Sequence, residues 1–260
     1  MFCLTLLNDE RVASGSGDHL IIIYNKNNFQ PDIIIKEHKN FVLSLYQLKN
    51  GFLASSSYDN TIKLFSIKEN EYQIIQTLDL HKNAVFRIIE LSNNYLVSCS
   101  DNSTIIFYIK EPLKYNQNYS FSASNSVVNI IQTKQNEIVY STRDSKINFF
   151  DINERKVKSI LENISFDTYG FRTWFCMMTK DLLLIPGLKM ISIINVNEYK
   201  KIREIDIPDA DSIYGVCMLN SNMVITGDSN KSLRQWKIEG DNLILISKKE
   251  KAHNAGINVF

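Results

Sequence analysis

Residues 38–67, HKNFVLSLYQLKNGFLASSSYDNTIKLFSI, contain three short runs of apolar and β-branched residues separated by turns. The runs cover residues 42–48, 52–57 and 61–67, with KNG and YDN between them. Runs of this length, bounded by Asn, Asp and Gly, favour β-strands over helices. The sequence here therefore predicts three antiparallel strands in a meander, with His38 in the turn that precedes them.

The same pattern recurs along the chain. The aliphatic residue that opens the second strand returns every 41 to 44 residues, as Val12, Leu53, Leu96, Ile138, Leu182 and Val224. In the fifth copy, matching Cys176 to Cys217 gives Leu183 as the alternative anchor. Twelve residues after these anchors stand Tyr24, Phe65, Tyr108, Phe150, Ile194 and Trp236. Six residues after them stand Asp18, Asp59, Asn102, Asp144, Leu188 and Asn230. A period of about 42 residues with four short strands is typical of a β-propeller, in which each repeat supplies one blade.

The repeat resembles that of the WD40 family, which opens on a Gly-His turn and closes on Trp-Asp. The opening His is present as His38, His81 and His253, in the frames HKNFV, HKNAV and HNAGI. The resemblance implies an all-β propeller of six four-stranded blades plus the first strand of a seventh, in a single domain. Its repeats are expected at residues 1–37, 38–80, 81–122, 123–166, 167–208 and 209–252, with the start of a seventh at 253–260.

In that family a buried, hydrogen-bonded tetrad joins the turn His, a second-strand Ser or Thr, the tight-turn Asp and the third-strand aromatic residue. By position, the resemblance transfers this role to His38, Ser55, Asp59 and Phe65, to His81, Ser98, Asn102 and Tyr108, and to Thr226, Asn230 and Trp236. The fourth and fifth repeats carry Tyr140 and Leu184 at the Ser position, so no complete tetrad is expected there. A buried His or Asp is costly unless partners bind it.

Composition narrows the classes of function. The 260 residues are 44% hydrophobic, which is enough for a large core in one domain. The 29 basic and 28 acidic residues balance to a net charge of +1, which gives no reason to expect nucleic acid as a partner. The sequence has no secretory signal, no membrane span and no CxxC pair among its four cysteines. We therefore expect an intracellular protein, cytoplasmic or nuclear.

The seventh repeat stops after one strand, at Phe260. An unclosed propeller exposes two apolar sheet faces to water. WD40 rings are commonly sealed by a blade built from both chain ends, but residues 1–24 supply no spare outer strand. We expect the chain to be a fragment of a longer, seven-bladed protein, with a self-closed six-bladed ring as the alternative.

Motifs for catalysis are missing from the sequence. It has no phosphate-binding Gly-rich loop, no nucleophile elbow and no His pair at metal-ligand spacing, so we predict no enzyme activity, cofactor, metal or small-molecule substrate. Two alternatives stay open: a catalytic or small-ligand site in the central channel, and phosphoinositide binding. The nearest match to the Phe/Leu-Arg-Arg-Gly motif of phosphoinositide-binding propellers is residues 170–173, GFRT, with a single Arg. In the same loop, Trp174 is expected to pack in the core.

The prediction that remains is a platform for protein partners. In the WD40 family, partners most often dock on the face that carries the tight turns and the turns before the first strands. At these positions the sequence has Phe41, Tyr58 and Arg143, with Lys39 and Lys82 at the rim. Aromatic and Arg side chains dominate the energetics of protein interfaces. We therefore predict that these five residues face a protein partner, whose identity the sequence does not give.

Overall fold

A computed structural model describes residues 2–111, 114–166 and 174–252. Within these ranges the chain forms 24 strands and no helix. The strands make six four-stranded antiparallel sheets, each from four strands consecutive in sequence. The predicted fold class, an all-β chain of six four-stranded propeller blades, is confirmed. The expected first strand of a seventh repeat, at 253–260, lies outside the described residues.

The chain divides into two compact units, residues 1–130 and 131–260. The first unit contains three blades and the start of β13. Blade 1 consists of β1 (Cys3–Leu6), β2 (Val12–Gly15), β3 (Ile21–Tyr24) and β4 (Pro31–Ile35). Blade 2 consists of β5 (Val42–Gln47), β6 (Leu53–Ser57), β7 (Ile62–Lys68) and β8 (Glu71–Leu78). Blade 3 consists of β9 (Val85–Glu90), β10 (Leu96–Ser100), β11 (Thr104–Lys110) and β12 (Tyr115–Ser122).

The second unit contains the remaining blades. Blade 4 consists of β13 (Val127–Lys134), β14 (Glu137–Thr142), β15 (Lys146–Asp151) and β16 (Lys156–Leu161). Blade 5 consists of β17 (Cys176–Met177), β18 (Leu182–Pro186), β19 (Met190–Asn195) and β20 (Lys200–Asp206). Blade 6 consists of β21 (Ile213–Asn220), β22 (Met223–Asp228), β23 (Leu233–Glu239) and β24 (Asn242–Lys249). The boundary between the units falls within β13.

The strand register follows the sequence period in five blades. In each of them the anchor of the second strand pairs with the residue twelve positions later, as Leu53 does with Phe65. In blade 5, Leu183 and not Leu182 pairs with Ile194. Of the two anchors that the sequence allowed, the register selects Leu183 over Leu182, because the hairpin between β18 and β19 is one residue shorter than the others.

The outer strand of blade 3 is longer than predicted. The sequence indicated a surface connection over residues 111–118, whereas β12 begins at Tyr115, which pairs with Lys110. Two hydrogen bonds of 2.7 Å join the backbone N and O of Tyr115 to the side-chain amide of Gln76 in blade 2. Because these bonds imitate a strand pairing, they hold Tyr115 in an extended conformation, and its ring is buried.

Every outer strand contains a bulge. In each blade the pairing of the third and outer strands shifts by one residue. The shift lies next to the third-strand residue that pairs with the second-strand anchor, between Ile23/Tyr24, Leu64/Phe65, Phe107/Tyr108, Phe149/Phe150, Ile193/Ile194 and Gln235/Trp236. A bulge adds one unpaired residue and increases the local twist. The exposed edges of the blades are therefore irregular.

The cores lie between neighbouring blades of each unit. In the first unit, one cluster packs Leu64 of blade 2 against Leu96 and Tyr108 of blade 3. In the second unit, an equivalent cluster packs Leu184 of blade 5 against Trp236 of blade 6. Because the apolar faces are buried in this way, the turns at the strand ends carry most of the polar and accessible side chains.

Candidate functional site

The tight turns between second and third strands share one backbone conformation. The residue after the turn acid position has a positive φ in all six blades, at His19 (72°), Asn60 (71°), Ser103 (64°), Ser145 (61°), Lys189 (59°) and Lys231 (68°). In blade 2, Asp59 Oδ1 stabilises this turn by accepting hydrogen bonds from Thr61 N at 3.0 Å and Thr61 Oγ1 at 2.6 Å. These bonds fix the orientation of the neighbouring Tyr58.

In blade 2 the structure joins three of the four predicted tetrad residues. His38 Nδ1 lies 2.8 Å from Asp59 Oδ2, and His38 Nε2 lies 2.6 Å from Ser55 Oγ. The same carboxylate accepts a bond from Lys39 N at 2.9 Å. Burial alone would raise the pKa of Asp59, but the hydrogen bonds from His38 and Thr61 outweigh it and hold that pKa well below its ordinary value. Phe65 is fully buried and has no polar atom to join the set.

In blade 3 only part of the set is joined. His81 Nε2 lies 2.7 Å from Ser98 Oγ, but His81 Nδ1 has no hydrogen-bond partner within the described ranges. Asn102 instead accepts a bond of 3.4 Å from Thr104 N. Burial lowers the pKa of His81 to about 4, so the ring is neutral at pH 7. Burial also raises the pKa of Tyr108 to about 12, with the Ser98 hydroxyl acting in the opposite direction.

In blade 6 the structure joins two of the three predicted residues. Trp236 Nε1 donates a hydrogen bond of 2.9 Å to Thr226 Oγ1, and both residues are buried. Asn230 contacts neither of them; its side-chain amide donates to the carbonyl oxygen of Asp209 at 3.0 Å. In blade 6 the tight turn is therefore joined to the loop before β21 by this amide–carbonyl hydrogen bond, and not by a bond to a turn His as in blade 2.

The charged residues that sequence reasoning missed lie in the same blade. Arg234 forms an ion pair with Asp228, and its Nη2 lies 3.0 Å from Asp209 Oδ2. The side chains of Arg234 and Asp228 are only 1% and 0% exposed. A positional signal was available, because Asp209 precedes its anchor Val224 by fifteen residues, as His38 precedes Leu53. The position of the turn His is thus occupied by an acid, with an Arg as its partner.

Two of the predicted partner-binding residues lie side by side. The rings of Phe41 and Tyr58 are 6.0 Å apart at 65°, and each residue is 37% exposed. Phe41 also contacts Phe2 and His19, with ring centroids 5.5 and 6.0 Å away. We call Phe2, His19, Phe41 and Tyr58 the aromatic cluster. Ring pairs at these separations attract each other beyond their buried area.

The backbone holds the aromatic cluster in place. Tyr58 N donates a hydrogen bond of 2.9 Å to the carbonyl oxygen of Phe41, which joins the two turns. At Gly17, an added Cβ would lie 3.1 Å from the ring of Phe2 and 3.7 Å from that of Phe41. The absence of a side chain there gives both rings the space they occupy. Tyr58 also packs on the buried ring of Phe86, at 6.3 Å.

The charged members of the predicted face are distributed over both units. Lys39 and Lys82 are exposed in the first unit, in the turns before blades 2 and 3. Arg143 lies in the second unit, partly exposed in the turn between β14 and β15. Trp174, expected in the core, is only partly buried and forms a parallel bridge with Gly215. His253 and the GFRT sequence of residues 170–173 lie outside the described residues.

In the described ranges, no group of three His, Cys, Asp or Glu residues is placed to hold a metal ion. Nor does any helix in those ranges have the length and apolar character needed to cross a bilayer. Burial raises the pKa of Cys99 to about 12, which keeps that thiol protonated at pH 7.

One segment of the chain matches a known family. Residues 29–66 match the family described as WD domain, G-beta repeat. The matched segment contains the outer strand β4 of blade 1 and the strands β5 and β6 with most of β7 of blade 2. It also contains His38, Ser55, Asp59 and Phe65. Together with the six four-stranded antiparallel blades, this match to one repeat supports a WD40-repeat β-propeller.

Proposed function

We propose that this protein is a non-enzymatic platform that binds a protein partner through the aromatic cluster of its first unit. WD40-repeat propellers generally act as platforms for protein partners and typically lack enzyme activity. The observation that carries the proposal is the contact between Phe41 and Tyr58, two partly exposed rings held together at the ends of blade 2 strands. Function would then depend on loop surfaces and not on a reactive group.

The rigidity of this surface supports the proposal. The Tyr58-to-Phe41 backbone bond and the bonds around Asp59 restrict both turns before any partner arrives. Binding to a preorganised surface loses little conformational entropy, so more of the contact energy appears as affinity. Aromatic side chains in such positions are the usual hot spots of interfaces.

The charges around the cluster favour a partner with carboxylates at its periphery. Lys39 and Lys82 are both exposed near the turns that carry the rings. Charges at the rim of an interface act mainly on the association rate and its salt dependence. We assign Lys39 and Lys82 this steering role, and the two aromatic rings the larger share of the affinity. Arg143, in the second unit, is proposed as a separate contact.

The experiment is affinity capture from an extract of cells that produce the protein, with quantitative mass spectrometry. The tagged wild type is compared with Phe41→Ala/Tyr58→Ala and, as a matched control, with Leu6→Ala/Phe29→Ala, whose residues are 63% and 66% exposed outside the cluster. We expect the specific partner to be reduced at least about tenfold by the first variant only. Equal recovery with a cluster variant that melts like the wild type would contradict the proposal. The variant Arg143→Ala is captured in the same way, and a reduced recovery of the partner would support the separate contact proposed for Arg143.

A further inference from the structure

The first unit has a second candidate surface at the other end of blade 2. A cavity of about 300 Å³ lies there, close to the turn between β5 and β6, whereas Phe41 and Tyr58 lie at the opposite strand ends. Its apolar lining consists of Phe52, Leu64, Ile75 and Tyr115. The polar lining consists of Asn50 and Gln76 of blade 2, with Lys110 and Lys114 on the blade 3 side. We call this cavity the basic pocket.

The apolar wall of the basic pocket belongs to the core between blades 2 and 3. Leu64 and Tyr115 are buried members of that core, and Phe52 and Ile75 pack against it while partly exposed. The double hydrogen bond between the Gln76 amide and the Tyr115 backbone fixes one blade against the other. The pocket is therefore preformed, and an apolar group that enters it meets side chains that are already ordered.

The basic pocket carries two positive charges. Lys110 and Lys114 are exposed, and in the described part of the chain neither ammonium group has an ion-pair partner. Glu111, which stands between them in sequence, pairs with neither. Elsewhere a lysine such as Lys146 has a carboxylate at 3.2 Å, from Asp144. Two unpaired cations beside an apolar cavity complement a ligand that is apolar at its centre and acidic at its ends.

We propose that the basic pocket docks an acidic segment of a protein partner, which inserts one Leu- or Phe-sized side chain and places flanking carboxylates near Lys110 and Lys114. A volume of about 300 Å³ is at the lower limit for ligand pockets and suits one or two side chains. Basic segments are repelled by the two ammonium groups. The site is separate from the aromatic cluster, so the platform has two docking surfaces at opposite ends of blade 2.

The test uses fluorescence anisotropy with the full chain and a fluorescein-labelled peptide of alternating Glu and Leu residues. We expect saturable binding that weakens with added salt, and that falls at least about tenfold in Lys110→Glu/Lys114→Glu. Lys36→Glu/Lys68→Glu, which reverses two exposed lysines elsewhere in the first unit, is the matched control and should bind as the wild type does. Amide shifts of Ile75 and Tyr115 in NMR spectra should follow the same titration.

Four results would overturn the proposal: no saturable binding, equal binding of a peptide with Lys in place of Glu, unchanged binding by Lys110→Glu/Lys114→Glu, or 4-phenylbutyrate binding as tightly as the peptide. The last result would assign the pocket to small carboxylates. The Phe41→Ala/Tyr58→Ala variant should bind the peptide normally. If that variant lost the peptide, the ligand would be bound at the aromatic cluster and the basic pocket would not be its site.

Discussion

Blades 2 and 6 both connect the loop before their first strand to the second strand through side chains, but with different chemistry. In blade 2, His38 bridges the loop before the first strand, the tight-turn Asp59 and the second-strand Ser55. In blade 6, Arg234 reaches from the third strand to Asp228 and Asp209. In both blades a polar or charged side chain joins the loop before the first strand to a buried residue of the second strand, Ser55 in blade 2 and Asp228 in blade 6. The repeat therefore depends on a side-chain link between these segments. The residue types that form the link can differ between blades, provided that all the interacting partners are replaced as a set.

The largest expected effect tests the bridge of blade 6. Arg234→Met keeps much of the side-chain volume but leaves Asp228, which is 0% exposed, without its countercharge. Loss of one partner of a buried ion pair costs about 3–5 kcal/mol, so we expect the free energy of unfolding in urea to fall by that amount.

The control removes both charges of the pair. Arg234→Met/Asp228→Asn should recover most of the lost stability, because a neutral pair no longer buries an uncompensated charge. Lys248→Ala, at the partly exposed end of the same network, should leave the unfolding midpoint nearly unchanged. A double variant as unstable as the single one would mean that packing, and not charge, dominates at this position.

The pH dependence of stability distinguishes blade 3 from blade 2. Burial lowers the pKa of His81 to about 4 in the folded state, while the ordinary value is 6.5. Between these values the unfolded chain binds a proton that the folded chain does not, so stability falls as the pH is lowered. The difference reaches about 3 kcal/mol at pH 4.

The variant His81→Gln should lose less stability than the wild type as the pH falls from 7 to 4. The measurement is the urea midpoint of unfolding at each pH. Asp59 does not interfere in this window, because a carboxyl with a lowered pKa stabilises the fold above its ordinary value of 3.8 and loses that effect only below it. Parallel profiles for wild type and His81→Gln would show that His81 is not the titrating group.

A third comparison uses equivalent turn residues of blades 2 and 3. Asp59→Ala removes the acceptor of bonds from His38, Lys39 and Thr61, and should cost about 2 kcal/mol. Asn102→Ala removes an acceptor bound at 3.4 Å, and should cost less than about 1 kcal/mol. Thermal melts of both variants provide the measurement. If the two losses were equal, the additional hydrogen bonds of blade 2 would not contribute to stability.

The smallest expected effect concerns the third-strand aromatic residue. Trp236→Phe makes blade 6 resemble blade 2 at this position and removes the indole donor that binds Thr226 Oγ1 at 2.9 Å. We expect a loss of about 1 kcal/mol, read from the urea midpoint. The double variant Trp236→Phe/Thr226→Val removes both polar partners and should lose less than the sum of the two single variants.

Periodicity along the chain was enough to predict the blades. Leu53 and Phe65 pair as their spacing predicts, because a hairpin with a fixed turn length has only one register. The ambiguity between Leu182 and Leu183 has the same origin, since the hairpin of blade 5 is one residue shorter and carries no turn acid to mark it. Sequence spacing fails where the loop length changes.

Contacts between blades were harder to predict. The proximity of Phe41 and Tyr58 could be expected, since both belong to turns of one repeat. Phe2 and His19 were missed because they reach Phe41 from blade 1, and the period within a repeat does not specify contacts between repeats. The network of Arg234 was missed for another reason. An acidic residue, Asp209, stands where the turn His was expected, and its partner is a basic residue, Arg234.

The bulges in the outer strands have a consequence for the behaviour of the protein at high concentration. β24 leaves Ile244, Leu245 and Ile246 accessible on a sheet edge. A regular strand of this composition would template the addition of further strands and seed a fibril. The bulge opposite Gln235 and Trp236 breaks the even spacing of donors and acceptors that stacking requires. We therefore expect this one extra residue in the edge strand to disfavour polymerisation, even though the strand leaves apolar side chains accessible.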